Sequence, residues 1–591
     1  MAATALGKAG YGSNQKRNMG TENKASWLSR ALPIAGWLPD LASSTVRADL
    51  VAGVALAGLL VPEGMAYAGI AGVPPEVGLY SAAAGLAVYA LFGSSRHLAV
   101  SCTSGSAAML AALIAPLAAG DARRYVTLAS ATAIVAGLLF LMASALKLGF
   151  VSEFISKPVL KGFVFGLGLT IMVKQAPKLL GIEKGHGDTL DQIWHVIVSL
   201  PQSNPWTLAV GACALTVIFL LGALASRIPS ALVVFVLGIL AVQYFGLHER
   251  GVEIVGKVPT GLPHVGVPLV SRDDLLELFT GVIGIVLIVY AEALAAGRTF
   301  AAKYKYDVNP NQELAAIGIA NLASGFTQGI IVGGGMSGTA ANAAGGARSQ
   351  LSAITTALLS ILTLLFLMPL FQSLPEAVLG AIVIHAVWHL ADVKEMRRLA
   401  SLKTGSIWVA LTAIVGVLVL GVLRGLILAM CLTLVALLKK VSAPQDSVLG
   451  RLPGTGAFVD LAQHPQAESI PGLLIFRPNG LLFFANANRF SSRLRAAVKN
   501  APEPINEVIL NLEASPEIDV TVLDMLEQLR SELNENGVRL AFARISDSVR
   551  ALLRRSGFLE RLGEGNVFWG VDSAVDALTQ MEHRPCVSSN L

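Results

Sequence analysis

Between residues 48 and 440 the chain alternates apolar runs with short polar breaks. About twenty apolar residues in a row cross a hydrocarbon core of about 30 Å as a helix. The pattern predicts spans near 48–69, 76–92, 103–119, 126–146, 158–180, 206–225, 229–246, 275–296, 312–328, 337–346, 351–371, 375–391, 405–421 and 424–438. Two of them, 103–119 and 337–346, are too short or too rich in glycine for one full crossing. Residues 333–347 read GGGMSGTAANAAGGA, with no Leu, Ile or Val, yet apolar runs lie on both sides.

After Lys440 the period changes. Apolar runs at 473–476, 481–484, 508–512 and 538–543 suit strands, and helical patterns separate them. Val522, Met525, Leu526, Leu529 and Leu533 share one helix face, and Gly537 suits its end. Alternating strands and helices predict a small α/β domain. The expected layout is a polar tail over 1–45, a membrane domain over 46–440, a linker over 441–469 and the soluble domain over 470–585.

Composition supports this division. The 591 residues are 54% hydrophobic and 14% charged, against roughly a quarter charged in soluble domains. Mean hydropathy is +0.64. One soluble core does not grow to this length. The net charge of +5 is modest and gives no reason to expect nucleic acid as a partner. Lys and Arg concentrate in alternate loops, at Arg96, Lys147, Lys157, Arg227, Arg298, Arg348, Lys394, Lys403 and Lys439. That bias predicts a multi-pass protein of the cell membrane with both termini in the cytoplasm. Cys102, Cys213, Cys431 and Cys586 lie far apart and form neither a disulfide framework nor a zinc site. No GxSxG, HExxH or Walker sequence occurs, so an enzyme or an ATP-driven pump is not expected, nor any cofactor.

The chemistry lies inside the spans. Glu63, in LLVPEGMAYAGI, falls in the first, and Glu292, in VLIVYAEALAAGRTFA, in the eighth. An ionisable group at that depth costs about 2.5–3.5 kcal/mol, which favours a functional role. Ser104 follows Glu63 by 41 residues, and Gly338 follows Glu292 by 46. Each half thus offers a membrane carboxyl, another span, then a short stretch of small residues. Transporters built from inverted repeats interrupt matching spans in this way and bind their substrate between them.

Backbone that leaves the helix at membrane depth must be covered by protein or line a cavity. A short helix is expected to begin near Ser337, with Ser337 as its N-cap, and another at Thr103 or Ser104. A helix start carries unpaired N–H groups and about half a positive charge, so two of them facing one cavity form an anion site without a basic side chain. The candidate substrate residues are Glu63, Tyr67, Thr103, Ser104, Ser337, Gly338 and Thr339, with Tyr67 one helical turn from Glu63.

These residues resemble a known family. PEGMAYA at 62–68, GRTFA at 297–301, the Asn-x-Glu of Asn311 and Glu313, and GIAN at 318–321 are similar to signatures of the SulP sulfate permeases. The C-terminal region resembles their STAS domain. The resemblance implies a polytopic α-helical fold of fourteen segments in two inverted seven-segment repeats. Segments 1–4 and 8–11 would form a core domain that slides against a gate domain, in a homodimer. The anion would sit between the starts of the third and tenth segments. The departures matter as much. The family's common Gln is Glu63 here, its tenth-segment Arg is Gly338, its third-segment Pro is Cys102, and its DSSG reads Asp519-Val520-Thr521-Val522.

Relative to that pattern the site lacks a positive charge and gains a carboxyl. At about 5 Å and an effective dielectric of 20, two like charges cost roughly 3 kcal/mol. A proton taken up by Glu63, Glu292 or both as the anion binds removes that cost. The expectation is a secondary active transporter of inorganic anions, sulfate foremost, with protons or sodium as the coupling ion and membrane lipid around it. The alternatives are bicarbonate or a dicarboxylate as substrate, or an anion channel.

Overall fold

The computed structural model describes residues 33–34, 43–150, 156–185, 187, 189–224, 230–256, 258–259, 261–388, 390–402, 406–443 and 445–582. Residues 1–32 and 35–42 of the expected cytoplasmic tail over 1–45, the loop cations Arg227 and Lys403, and Cys586 lie outside these residues. The chain divides into two units, Met1–Thr433 and Leu434–Leu591.

In the first unit each expected span meets a helix, beginning with Ser43–Ala71 and Pro75–Phe92 and closing with Ser406–Leu420 and Val422–Ser442, which runs on into the second unit. Eight of the described helices are long and apolar enough to cross a membrane. The short ones include the two singled out above, Ser104–Ala118 and Met336–Ala344. Two further helices, Thr189–Ser199 and Val393–Ser401, stand in stretches expected as loops.

Segments 1–4 and 8–11 pack against one another as one bundle, the fourth on the ninth and the first on the eleventh. The fifth, sixth, seventh, twelfth and thirteenth make a second bundle, which meets the first mainly along Ser43–Ala71. Small residues let the first bundle close. A Cβ at Gly78 would lie 2.0 Å from the carbonyl oxygen of Gly64, so the first two segments touch backbone to backbone.

Buried polar side chains hold the irregular parts of this bundle. Glu313 accepts from the Tyr89 hydroxyl (2.7 Å) and from the Ser94 amide and hydroxyl (2.9 and 2.7 Å), fixing the turn after the second segment to the ninth. Asn321 donates to the carbonyls of Ile317 and Val332 and accepts from the Val332 amide. Gln350 donates to the carbonyls of Ser95 and Leu98. Each takes up main-chain groups that would otherwise be orphaned away from water. Lys178, which its place near a helix end would send to the membrane surface, instead pairs with Glu376 at 3.0 Å.

The second unit holds a six-stranded sheet in the order Phe458–Asp460, Asp446–Arg451, Leu473–Pro478, Glu507–Asn511, Arg539–Ala543, Val567–Phe568. The last four strands run parallel, in register Ile475 to Ile509 to Ala541, and the first two pair antiparallel. The expected helix face of Val522, Met525, Leu526, Leu529 and Leu533 is buried on one side of the sheet, and Val571, Ala574, Val575 and Leu578 cover the other. Two expectations change. The stretch 441–469, expected as a linker, supplies two strands, and their short, interrupted apolar pattern concealed them. Residues 481–484 form no strand, because side chains take their backbone groups: Asn486 donates to the Leu481 carbonyl and accepts from the Phe483 amide.

Asp519 caps the helix Val520–Glu535 through the Val522 amide and also accepts from the Phe484 amide at 2.6 Å. It therefore serves the fold at the position where the family pattern reads DSSG. Asp519→Ala should cost this domain about 1–2 kcal/mol, read as a lower urea midpoint in hydrogen exchange of the strand Glu507–Asn511, a signal confined to this domain.

Candidate functional site

The two short helices start side by side. Val100–Ser101 and Gly333–Gly334, the strands that lead into them, pair antiparallel, Val100 opposite Gly334 and Ser101 opposite Gly333. One chain leaves this pair into Ser104–Ala118, the other into Met336–Ala344. Antiparallel pairing sends the helices apart, so their N-terminal ends stay together at the middle. The two N-cap residues meet: a Cβ at Gly335 would lie 3.4 Å from Cγ2 of Thr103. Glycine is needed in the second strand, where a Cβ at Gly333 would come within 2.5 Å of Val289 on the eighth segment.

The caps differ. Thr103 closes a capping box with Ser106, each side chain accepting from the other's amide at 3.1 Å. At the other end the N-cap is Gly335, with no side-chain bond, and the helix begins at Met336. Ser337 therefore lies inside the first turn rather than at the cap. The N–H groups of Ser104, Gly105, Met336, Ser337 and Gly338 make no hydrogen bond among the described residues, as the first turn of any helix dictates. Met336 and Ser337 are exposed although the strand before them is buried, so this helix start opens on accessible space.

Two carboxyls flank the helix starts. Both oxygens of Glu292 lie 3.5 Å from the Cβ position of Gly105, so this side chain faces the first turn of Ser104–Ala118. It makes no hydrogen bond or ion pair among the described residues. A carboxylate is favourably placed at the positive end of a helix. Glu63 is buried, and its Oε2 has no hydrogen-bond partner among the described residues. Tyr67 is buried beside it on the same helix face. Cys102, just before the third segment, is buried with its thiol near the carbonyls of Gly64 and Gly78 (4.0 and 3.8 Å).

The other candidates divide. Ser104 is buried in the first turn, beside the Gly105 that faces Glu292. Gly338 is buried, and a Cβ there would meet Ala99 and Leu60 at 3.4 Å. Thr339 turns inward, its hydroxyl donating to the Gly335 carbonyl (2.6 Å) and accepting from the Ala99 amide (3.3 Å). It braces the strand crossing rather than facing the gap between the helices. Glu313, Asn321 and Gln350 form the bracing that sequence reasoning left without a role. Glu313 gave little signal, since it directly follows the polar stretch Asn309–Gln312 and reads as an ordinary carboxylate in a helix's first turn. No group of His, Cys, Asp and Glu among the described residues could hold a metal ion.

A paired-strand crossing with two half-length helices inside a polytopic bundle defines the class as a membrane carrier of the inverted-repeat type. The model of the Sulfate permease family matches residues 46–413, and that of the STAS domain matches 464–574. The chain belongs to the sulfate permease family, a family of transporters rather than enzymes. A probable sulfate transporter of Mycobacterium tuberculosis is 36% identical over 549 residues, covering 92% of this chain and 98% of its own. Sulfate transporter 3.1 of Arabidopsis thaliana is 29% identical over 583 residues, covering 93% and 87%. Among solved structures, murine Slc26a9, an anion transporter in the inward-facing state, shares the fold at a TM-score of 0.86 with 22% identity, covering 98% of this chain and all of that one. The transmembrane domain of the cyanobacterial bicarbonate transporter BicA matches at 0.59 with 24% identity, over 66% of this chain and 98% of that one.

Proposed function

We propose that this protein is a secondary active transporter that carries sulfate or a related inorganic anion together with protons. The observation that supports this most is the pair of helix starts with unpaired amides at Ser104, Gly105, Met336, Ser337 and Gly338, with the Glu292 carboxyl facing one of them and buried Glu63 on the first segment. Amides and helix dipoles offer partial positive charge to an anion. Ionised Glu63 and Glu292 oppose it, each by roughly 3 kcal/mol per unit of anion charge at about 5 Å and a dielectric of 20. Binding therefore favours their protonated forms, and a divalent anion enters with the protons that neutralise them. The protons then travel with the anion when the core bundle moves against the other. Relatives named as sulfate transporters support sulfate as the substrate. In this reading the protein is a homodimer of the cell membrane with both termini in the cytoplasm.

Uptake of labelled sulfate, bicarbonate and succinate by proteoliposomes, under imposed proton and sodium gradients, tests the proposal. Saturable sulfate uptake driven by an inward proton gradient is expected. Uptake driven by sodium alone, or flux that does not saturate, would contradict it.

Gly338 offers a second test. A Cβ fits there in ordinary contact with Ala99 and Leu60, and Gly338→Arg restores the common family charge. One added charge at about 5 Å and a dielectric of 20 is worth about 3 kcal/mol per unit of anion charge. The half-saturating sulfate concentration at neutral pH should fall by about a hundredfold or more, while the response to acid pH flattens. An unchanged or higher concentration would place Gly338 away from the anion.

A further inference from the structure

We infer that a zwitterionic aminophospholipid docks in a groove on the side of the membrane unit, between the helices Pro205–Leu224 and Ser230–Phe245. The groove has a volume of about 340 Å³ and a floor of small or apolar side chains, among them Ala209, Cys213, Ala214, Gly238 and Ala241. Its wall residues Leu237 and Phe245 are 49% and 57% exposed. Apolar surface of this kind on a spanning helix faces lipid. Small residues on both facing helices leave room for a chain that neither helix supplies.

The depth of the groove selects its occupant. Along the first helix it runs from Trp206 to Val217, about 16 Å at 1.5 Å per residue. That is about half of a 30 Å hydrocarbon core, the depth of one leaflet. A helix of a second copy would cross both leaflets, whereas an acyl chain occupies one.

Charges at the mouth select the headgroup. The Arg250 guanidinium stacks on the Trp206 ring with 4.5 Å to its centroid, at the end of the groove. The Glu249 carboxylate lies 3.8 Å from the Cβ position of Gly246, between the lining residues Phe245 and Leu247. A phosphate on Arg250 and an ammonium on Glu249 match a phosphatidylethanolamine headgroup. An anionic headgroup would meet Glu249 unfavourably, and a choline headgroup has no N–H to donate. Trp206 and Tyr244 at the same end are the side chains that settle at a membrane interface.

Native mass spectrometry of the full chain, released from nanodiscs of mixed phosphatidylethanolamine, phosphatidylcholine and phosphatidylglycerol, tests the inference. The protein should retain phosphatidylethanolamine in preference to the other two. Cys213→Trp, which fills the groove, should abolish that adduct. Arg250→Gln removes one charge-assisted contact and should lower retention about tenfold, the equivalent of about 1.4 kcal/mol. Glu249→Gln should move the preference toward phosphatidylglycerol. Equal retention of the three lipids by the unaltered chain would overturn the proposal. So would an adduct that survives Cys213→Trp, or a dimer that this change breaks without loss of lipid. Should Cys213→Trp fail to fold, the two surface variants decide: unchanged retention and preference in both would refute the assignment.

Discussion

Exchanging Glu63 for glutamine is expected to remove one of the two protons coupled to anion uptake by proteoliposomes. One pH unit is worth about 1.4 kcal/mol per coupled proton, about tenfold in accumulated anion. Glu63 is suited to carry that proton. It is buried, its Oε2 has no partner among the described residues, and the neighbouring helix starts attract an anion when the carboxyl is neutral. Glutamine keeps the shape and holds the neutral state permanently. Downhill sulfate flux should therefore persist while gradient-driven accumulation falls about tenfold per pH unit of gradient. If accumulation is unchanged in Glu63→Gln and falls only in Glu292→Gln, the travelling proton resides on Glu292, whose oxygens lie 3.5 Å from the Cβ position of Gly105.

Much of the candidate site was legible because it breaks local rules. A carboxyl in an apolar run and a glycine-rich stretch at membrane depth each cost stability, so each asked for a reason. The capping of Ser104–Ala118 by Thr103 was legible for the same local reason, since a hydroxyl before a run of small residues suits a helix start. Less legible was whatever depends on partners distant in sequence. Ser337 looks as good a cap as Thr103, yet Gly335 takes that place because the pairing of Gly333–Gly334 with Val100–Ser101 sets where the strand ends. Thr339 looked like a ligand, yet its hydroxyl donates to the Gly335 carbonyl within its own turn and accepts from the Ala99 amide, 240 residues away. In the soluble domain, the parallel strands announced themselves through apolar runs such as Val508–Leu510. The antiparallel strand Asp446–Arg451, with Ser447 and Gly450 inside it, did not.

The largest effect on folding is expected at Gly78. A Cβ there would sit 2.0 Å from the Gly64 oxygen and 2.6 Å from its carbonyl carbon, atoms of a helix backbone that cannot turn aside. Ordinary overpacking costs about 1–3 kcal/mol, and contact with main chain at this range exceeds what a side-chain shift can absorb. Gly78→Val should yield no monodisperse protein on size-exclusion chromatography in detergent. Gly105→Ala is the matched comparison. Its Cβ meets the Glu292 oxygens at 3.5 Å, ordinary contact, so that variant should fold with a melting temperature close to the unaltered chain. Equal behaviour of the two variants would show that the close approach of the first two segments is not what holds the bundle together. Because Gly64 directly follows Glu63, this packing also sets where the first carboxyl stands.

The most direct measurement is the position of a bound oxyanion. Crystals of the full chain grown with selenate, a selenium analogue of sulfate, would report it by anomalous scattering. A selenium peak is predicted in the gap between the first turns of Ser104–Ala118 and Met336–Ala344, within hydrogen-bond reach of the Gly105 and Ser337 amides. A peak on basic side chains elsewhere, with that gap left to water, would contradict the assignment.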